Sequence, residues 1–466
     1  MRNGATTPPG GRPAQAPPAT PAPSLPETQK RILVILLASQ ILSGVGLAAG
    51  VTVAALLAQD MLHSTTLAGL PSALLTAGSA LAAVTIGRIS QSRGRRPGLA
   101  AGYLAGALGG AGVVLAAALA NPALLFVSLF LYGAGTAANL QARYAGADLA
   151  APRHRARALS TVLVATTLGG VIGPNLTAPA GHLAAALALP PLSGLFLVSG
   201  AAFALAALTL LIWLRPDPLL LARTLPAGPE ARAAGSEARP AGSEALPAGP
   251  EARPAGPEAR PAGPEPAEHT ATGPAPALPQ PTAHRRPGLP LGVLVMVLSQ
   301  LIMVAIMTMT PVHMQDHGHG TAASGLVIAL HIGAMYLPSP LTGALTDRYG
   351  PTVTATASGV TLLAAGLLAA AAPADSVVLL AVALTLLGLG WNLGLVSGTT
   401  VITDAVPLAT RAKTQGVVDV AIAIAGATGG MTSGIVVAVA SYPLLALTGA
   451  ALALALLPAV IVTART

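Results

Sequence analysis

The chain has 466 residues, of which 53% are hydrophobic and only 9% are charged. A soluble domain is about a quarter charged, so this composition excludes an ordinary soluble protein and indicates a chain that crosses a membrane repeatedly. The net charge of +8 does not mark a nucleic-acid binder, because the basic residues are dispersed between apolar runs, and the absence of cysteine excludes disulfides and thiolate chemistry.

Residues 1–31 are rich in Pro, Ala and Thr, lack the apolar core of a signal peptide, and are expected to form a disordered cytoplasmic tail. Apolar runs follow at 33–57, 66–87, 98–119, 123–145, 159–181 and 192–214, within an N-terminal unit spanning 32–214. Each is long enough to cross roughly 30 Å of hydrocarbon as a helix. Segment 215–289 comes next. From Pro226 to Ala267 it repeats a Pro-Ala-Gly-Pro-Glu-Ala-Arg-like heptapeptide about six times. The period has no apolar a/d seam, and its Pro and Gly oppose a helix, so an extended cytoplasmic linker is expected. Six more runs lie at 290–312, 321–344, 352–372, 376–401, 415–438 and 442–463, in a C-terminal unit spanning 290–466.

Landmark residues of the two units recur 256 positions apart. Asp60 recurs as Asp316, Gly87 as Gly343, Gly94 as Gly350, Asp148 as Asp404 and Arg155 as Arg411. The expected fold class is therefore an all-α membrane protein, with twelve transmembrane helices in two pseudo-symmetric six-helix halves. Lys and Arg fall on one side: Arg88, Arg93, Arg95 and Arg96, then Arg153, Arg155 and Arg157, then Arg348, Arg411 and Lys413. The positive-inside rule makes that side and both termini cytoplasmic. Arg143 alone lies inside a run, at its inner end.

After the eighth run stands Gly343-Ala344-Leu345-Thr346-Asp347-Arg348-Tyr349-Gly350. It resembles the Gly-x-Leu-x-Asp-Arg-x-Gly loop of the major facilitator superfamily. Gly87-Arg88-Ile89-Ser90-Gln91-Ser92-Arg93-Gly94-Arg95-Arg96 is similar but carries Gln91 at the acidic position. The resemblance implies a cytoplasmic latch between halves, with Asp347 a stronger latch than Gln91 and Arg348 available to pair with acids. In the fifth run, Gly169, Gly173 and Pro174 resemble the Gly-x-x-x-Gly-Pro motif of drug:proton antiporters in this superfamily, although Thr177-Ala178 replace its closing glycines.

The resemblance also implies that runs one, four, seven and ten line a central cavity. Candidate cavity residues are Gln40, Thr136, Asn139, Gln300, Met303, Trp391 and Asn392. Candidates for proton coupling or gating are Asp60 and Asp316 at the outer mouth, His331 and Asp419 within runs, and Asp148 and Asp404, read as exposed gate pairs with Arg155, Arg157, Arg411 and Lys413. The turn His313-Met314-Gln315-Asp316-His317-Gly318-His319 matches no closed metal site, so no metal is expected. No Gly-x-x-x-x-Gly-Lys-Ser/Thr motif occurs, so no nucleotide or other cofactor is expected. Titratable groups are too scattered for an enzyme. The expected function is proton-coupled efflux of small amphipathic organic molecules, such as drug-like compounds or metabolites, by a monomeric antiporter in the plasma membrane. The alternatives are an importer of a sugar or organic acid and metal-ion efflux.

Overall fold

The computed structural model describes residues 24–62, 70–225 and 288–465, all helices, turns and short connections. Most of the expected tail and all of the heptapeptide repeat lie outside the described residues. The helices are α1 (Leu25–Thr52), α2 (Ala54–Leu62), α3 (Leu70–Arg93), α4 (Arg95–Ala118), α5 (Pro122–Ala147), α6 (Arg155–Asn175), α7 (Thr177–Ala186), α8 (Gly194–Trp213) and α9 (Pro218–Thr224). After the repeat come α10 (Gly288–Asp316), α11 (Thr321–Tyr336), α12 (Ser339–Tyr349), α13 (Pro351–Ala371), α14 (Val377–Ala405), α15 (Arg411–Val439) and α16 (Tyr442–Arg465). Ten stretches among the described residues are long and apolar enough to cross a membrane.

Local chemistry sets many of the boundaries. Gly94 (φ 98°) separates α3 from α4, and Gly350 (φ 88°) separates α12 from α13; these are left-handed positions that a side chain would strain. Asn121 caps α5 by accepting from the Leu124 amide at 3.1 Å, with Pro122 at the first helical position. Ser376 caps α14 in the same way, accepting from Leu379.

Several expected boundaries move. The first helix begins at Leu25 rather than 33, because Gln29 Nε2 donates to the Gly146 carbonyl at 2.8 Å and ties this turn to the end of α5. The first, fifth and eighth apolar runs are each broken into two helices, at Val53, Leu176 and Leu337–Pro338. Pro338 has no amide hydrogen, and in the fifth run the helix stops one residue beyond Pro174. The expected linker opens with an ordered element, the short helix α9.

Buried apolar side chains gather in two clusters. One draws on α1 to α8 and centres on Tyr103, Tyr132, Phe196 and Phe203, with the Tyr132 ring edge-on to both phenylalanines. The other draws on α10 to α16, around Leu362, Leu387 and Trp391, and borrows Ala147, Ala156, Leu159 and Leu163 from the first unit. The units meet chiefly along two helix pairs, α3 with α15 and α6 with α12. Both pairs run toward the ends that carry the Gly-rich loops, here called the loop face.

Helix α9 braces that face. Asp217 Oδ1 accepts from the Leu219 and Leu220 amides at 3.0 and 3.2 Å, and Oδ2 accepts from the Arg96 amide at 2.7 Å. One carboxylate thus caps the first turns of both α9 and α4. Arg223 Nη2 donates to the Gln91 carbonyl at 2.8 Å. Asp217→Ala should lower stability by about 1–2 kcal/mol, the usual cost of a lost helix cap. Thermal unfolding of the detergent-solubilised protein measures this, and an unchanged midpoint would remove the bracing role.

Candidate functional site

The seam between the units is built on backbone contact. A Cβ on Gly87 would lie 2.8 Å from the Ala412 carbonyl and 3.1 Å from the Gly416 α-carbon. On the other pair, a Cβ on Gly343 would lie 2.7 Å from the Ala156 carbonyl and 2.6 Å from Ser160 Oγ. Only glycine lets these helices come so close. Each contact is the 256-residue image of the other.

Beside each glycine, a side chain from one unit caps a helix of the other. Asp347 accepts from the Ala156 amide (2.9 Å) and the Arg157 amide (3.1 Å) at the start of α6. Gln91 Oε1 accepts from the Ala412 amide (2.8 Å) and the Lys413 amide (3.3 Å) at the start of α15. A carboxylate suits the positive end of a helix. An amide oxygen accepts the same bonds, and Gln91 Nε2 also donates to the Ala409 (2.6 Å) and Leu408 (3.1 Å) carbonyls. The expectation was that Gln91 makes the weaker contact; it accepts from two amides as Asp347 does and donates to two carbonyls besides, without the carboxylate's charge. Arg348 was expected to be available to acids. It lies 5.2 Å over the Tyr349 ring, and the cation nearest Asp347 is Arg157, 3.7 Å away.

Deeper in the seam lies a set of buried charges. Arg95 Nε donates to Asp148 at 2.7 Å, with both side chains fully buried, and Arg95 Nη2 reaches Gln415 Oε1 of α15 at 2.5 Å. Asp148 was expected in an exposed gate pair; instead its partner is Arg95, inside the protein. Asp404 meets Arg155 across the units and remains 47% exposed. Arg411, the counterpart of Arg155, bonds the Val406 carbonyl at 3.2 Å.

The central pair is Arg143 of α5 with Asp419 of α15. Arg143 Nη2 donates to Asp419 Oδ1 at 2.8 Å and to the Tyr144 hydroxyl at 2.8 Å. Tyr144 in turn donates to Asp419 Oδ1 at 3.1 Å, and the guanidinium lies 4.2 Å from the centre of the Tyr144 ring. Arg143 Nε donates to Thr399 Oγ1 at 3.2 Å, and Nη1 donates to the Leu140 carbonyl. Asp419 Oδ2 is buried with no hydrogen-bond partner among the described residues. Asp419 is therefore bound to the other unit rather than serving its own helix N-terminus. The candidate list lacked Arg143, Tyr144 and Gln415. A cation within an apolar run was the available signal for Arg143, since such charges are costly in lipid.

The remaining candidates separate by environment. Gln40 and Asn139 belong to a buried network within the first unit. Gln40 Nε2 donates to Thr166 Oγ1 (3.0 Å), Tyr103 donates to Gln40 Oε1 (2.7 Å), and Asn139 Nδ2 donates to Ser43 Oγ (2.7 Å). Thr136 differs: it is exposed within an otherwise buried stretch of α5. It shares the i, i+4, i+7 stripe of Leu140 and Arg143, so it lies on the helix face that meets the second unit. In the second unit, Trp391 Nε1 donates to Gln300 Oε1 at 2.7 Å, and Tyr336 meets the indole edge-on at 5.7 Å. Met303 is packed in the core. Asn392 turns away, donating to the Met335 carbonyl and Ser339 Oγ, both at 2.7 Å. His331 is buried with Nδ1 on the Leu384 carbonyl at 2.8 Å.

Asp60 and Asp316 are both exposed, at helix ends opposite the loop face. Gly169 of α6 packs on α1, where its Cβ would come within 2.7 Å of the Gly44 α-carbon. The surroundings of Gly173 and Pro174 lie outside the described side chains. Among the described residues, no group of three or more His, Asp or Glu is placed to hold a metal ion.

Comparison with known proteins places this geometry. The profile of the Major Facilitator Superfamily matches residues 34–429 and again 293–466. The chain is 51% identical to the uncharacterized MFS-type transporter YddS of Bacillus subtilis (strain 168), covering 93% of this chain and 90% of that one. It is 50% identical to the uncharacterized MFS-type transporter YdeG of the same organism, covering 94% of each. The riboflavin transporter RfnT of Brucella anthropi is 29% identical, over 84% of this chain and 85% of RfnT. Among solved structures, the human organic anion transporter MFSD10 superposes with a TM-score of 0.69 at 16% identity, covering 93% of this chain and 99% of MFSD10.

The buried pair yields a double-mutant test. Arg143→Met or Asp419→Leu alone leaves an unpaired buried charge and should cost about 3–5 kcal/mol. The double variant should recover most of that loss. Thermal or denaturant unfolding of the three variants measures the coupling, and additive losses would refute a direct partnership.

Proposed function

The chain belongs to the major facilitator superfamily, a family of multi-pass membrane transporters, and on that premise we propose that it is a twelve-helix secondary transporter exporting small amphipathic organic molecules in exchange for protons. The observation that carries this reading is the Arg143–Asp419 pair, buried between the two units. In the proposed cycle, two six-helix halves rock about a midplane site and open the loop face and the opposite face in turn.

Opening the loop face must pull Arg143 from Asp419 and break the Asp347 and Gln91 caps. A bare carboxylate leaving its cation inside the protein is costly. A proton taken up by Asp419 removes that charge, so protonation and opening are coupled in the proposed cycle. The unpartnered Oδ2 of Asp419 is the oxygen at which the proton would be received. Thr136 and Gln300 offer sparse polar groups, and the partly buried Met307 and Met309 contribute adaptable apolar surface, a combination suited to amphipathic cargo. An organic cargo also accords with the relative named as a riboflavin transporter. The loop face is assigned to the cytoplasm of a plasma membrane, because the Lys and Arg residues gather there.

Flux in sealed vesicles with an imposed pH gradient tests the assignment. A fluorescent amphipathic cation and riboflavin serve as probe cargoes. Outward transport should collapse with an uncoupler, and Asp419→Asn should abolish the response to the gradient while the protein still inserts. Gradient-independent or inward flux would refute proton-coupled export.

The two caps predict graded effects. Asp347→Asn keeps one amide acceptor and loses the charge–dipole contribution, about 0.3–1 kcal/mol. Asp347→Ala loses both acceptors and should slow transport several-fold more. Equal rates for the two variants would remove the capping role. Deleting residues 226–267 should leave flux within about twofold of the intact protein, as expected of a flexible tether. Loss of flux with normal insertion would sink the linker reading.

A further inference from the structure

The end of α10, on the face opposite the loops, holds two imidazoles in a fixed arrangement that the transport reading does not use. His313 and His317 are four residues apart and project to the same side of the last turn. Their ring centres are 4.4 Å apart with the planes tilted by 55°. Histidines at this spacing on one helical face are the arrangement by which a helix presents two ligands to one metal ion.

Each ring is oriented by a contact of its own. His317 Nδ1 lies 2.7 Å from the His313 carbonyl. A carbonyl only accepts, so Nδ1 carries the hydrogen and Nε2 of the neutral ring keeps its lone pair. Backbone carbonyls fix the ligating tautomer of metal-bound histidines in this way. His313 stacks on the Tyr442 ring at 4.4 Å and 11°. The Tyr442 hydroxyl is in turn hydrogen-bonded to Thr310 at 2.9 Å, which anchors the stack to the start of α16. No hydrogen bond engages the His313 ring nitrogens among the described residues. His319 is a poorer candidate, because its Nε2 is engaged with the Ala374 carbonyl at 2.9 Å.

We propose that His313 and His317 form a chelate for one divalent transition-metal ion, of the Zn²⁺, Ni²⁺ and Cu²⁺ class. Imidazole nitrogen suits these ions and disfavours Ca²⁺ and Mg²⁺. Two protein ligands leave the remaining positions to water, with Asp316 exposed on the same turn. The site is separate from the Arg143–Asp419 seam and stands whether or not the chain exports organic cargo.

The test uses the full chain in detergent without a polyhistidine tag, titrated with NiCl₂ or ZnCl₂ by calorimetry and with Cu²⁺ by electron paramagnetic resonance. The expected result is one saturable equivalent per chain, with two imidazole nitrogens in the copper spectrum. His317→Ala, at an exposed position, should weaken binding at least tenfold and leave one nitrogen. His313→Ala should do the same, and His319→Ala should leave binding unchanged. No saturable binding up to millimolar metal, or an isotherm and spectrum unaltered in His317→Ala, would overturn the proposal.

Discussion

A charge placed in hydrocarbon must find its opposite inside the protein, and that constraint governs the seam of this molecule. Arg143 sits near the end of an apolar helix, and its only carboxylate partner among the described residues is Asp419, 276 residues further along. Either residue alone would be a costly buried ion. Their pairing restricts how α5 and α15 can register when the loop face is closed. Tyr144 and Thr399 then satisfy donors and acceptors that the pair leaves over. The glycine seams and the helix caps lie around this pair, in positions consistent with the same register.

The two units repeat the backbone design of the seam while distributing charge differently. Gly87 and Gly343 make the same approach, and Gln91 and Asp347 cap equivalent helix starts. The acids beyond them diverge for a traceable reason. Position 95 is arginine, but its counterpart at 351 is proline. Asp148 pairs with Arg95 in its own unit, whereas Asp404 meets Arg155 of the other. One acid becomes part of the buried interior and the other an exposed tie. Arg143 itself donates to Thr399, the residue 256 positions further along. Two like charges at that place would repel; a hydroxyl opposite the guanidinium accepts a hydrogen bond instead.

Much of the fold was legible in the sequence because its signals are local. Apolar run length marks membrane-crossing helices, and Gly94 and Gly350 mark tight turns whatever surrounds them. Pro122 after Asn121 announces a helix start. Errors arose where a boundary depends on a distant partner. Leu25–Arg31 is helical because Gln29 bonds the end of α5, and α9 is ordered because Asp217 reaches back to α4. Composition alone reads both segments as parts of a tail or a linker.

The candidate site was legible to a lesser degree. Polarity within an apolar run marked Gln40, Asn139 and Asn392, but polarity does not reveal whether a side chain faces a cavity or a neighbouring helix. These three are consumed by internal hydrogen bonds, whereas Thr136 remains open. By itself the sequence determined the helical class, the duplicated landmarks and the residues able to cap or turn, since these follow from covalent geometry and hydrophobic period. Only the tertiary structure decided that Asp148 belongs to Arg95, that Asp419 belongs to Arg143 and that Gln91, like Asp347, caps a helix of the other unit. Those pairings join residues from 53 to more than 300 positions apart, and electrostatic complementarity over such separations is set by packing, not by local sequence.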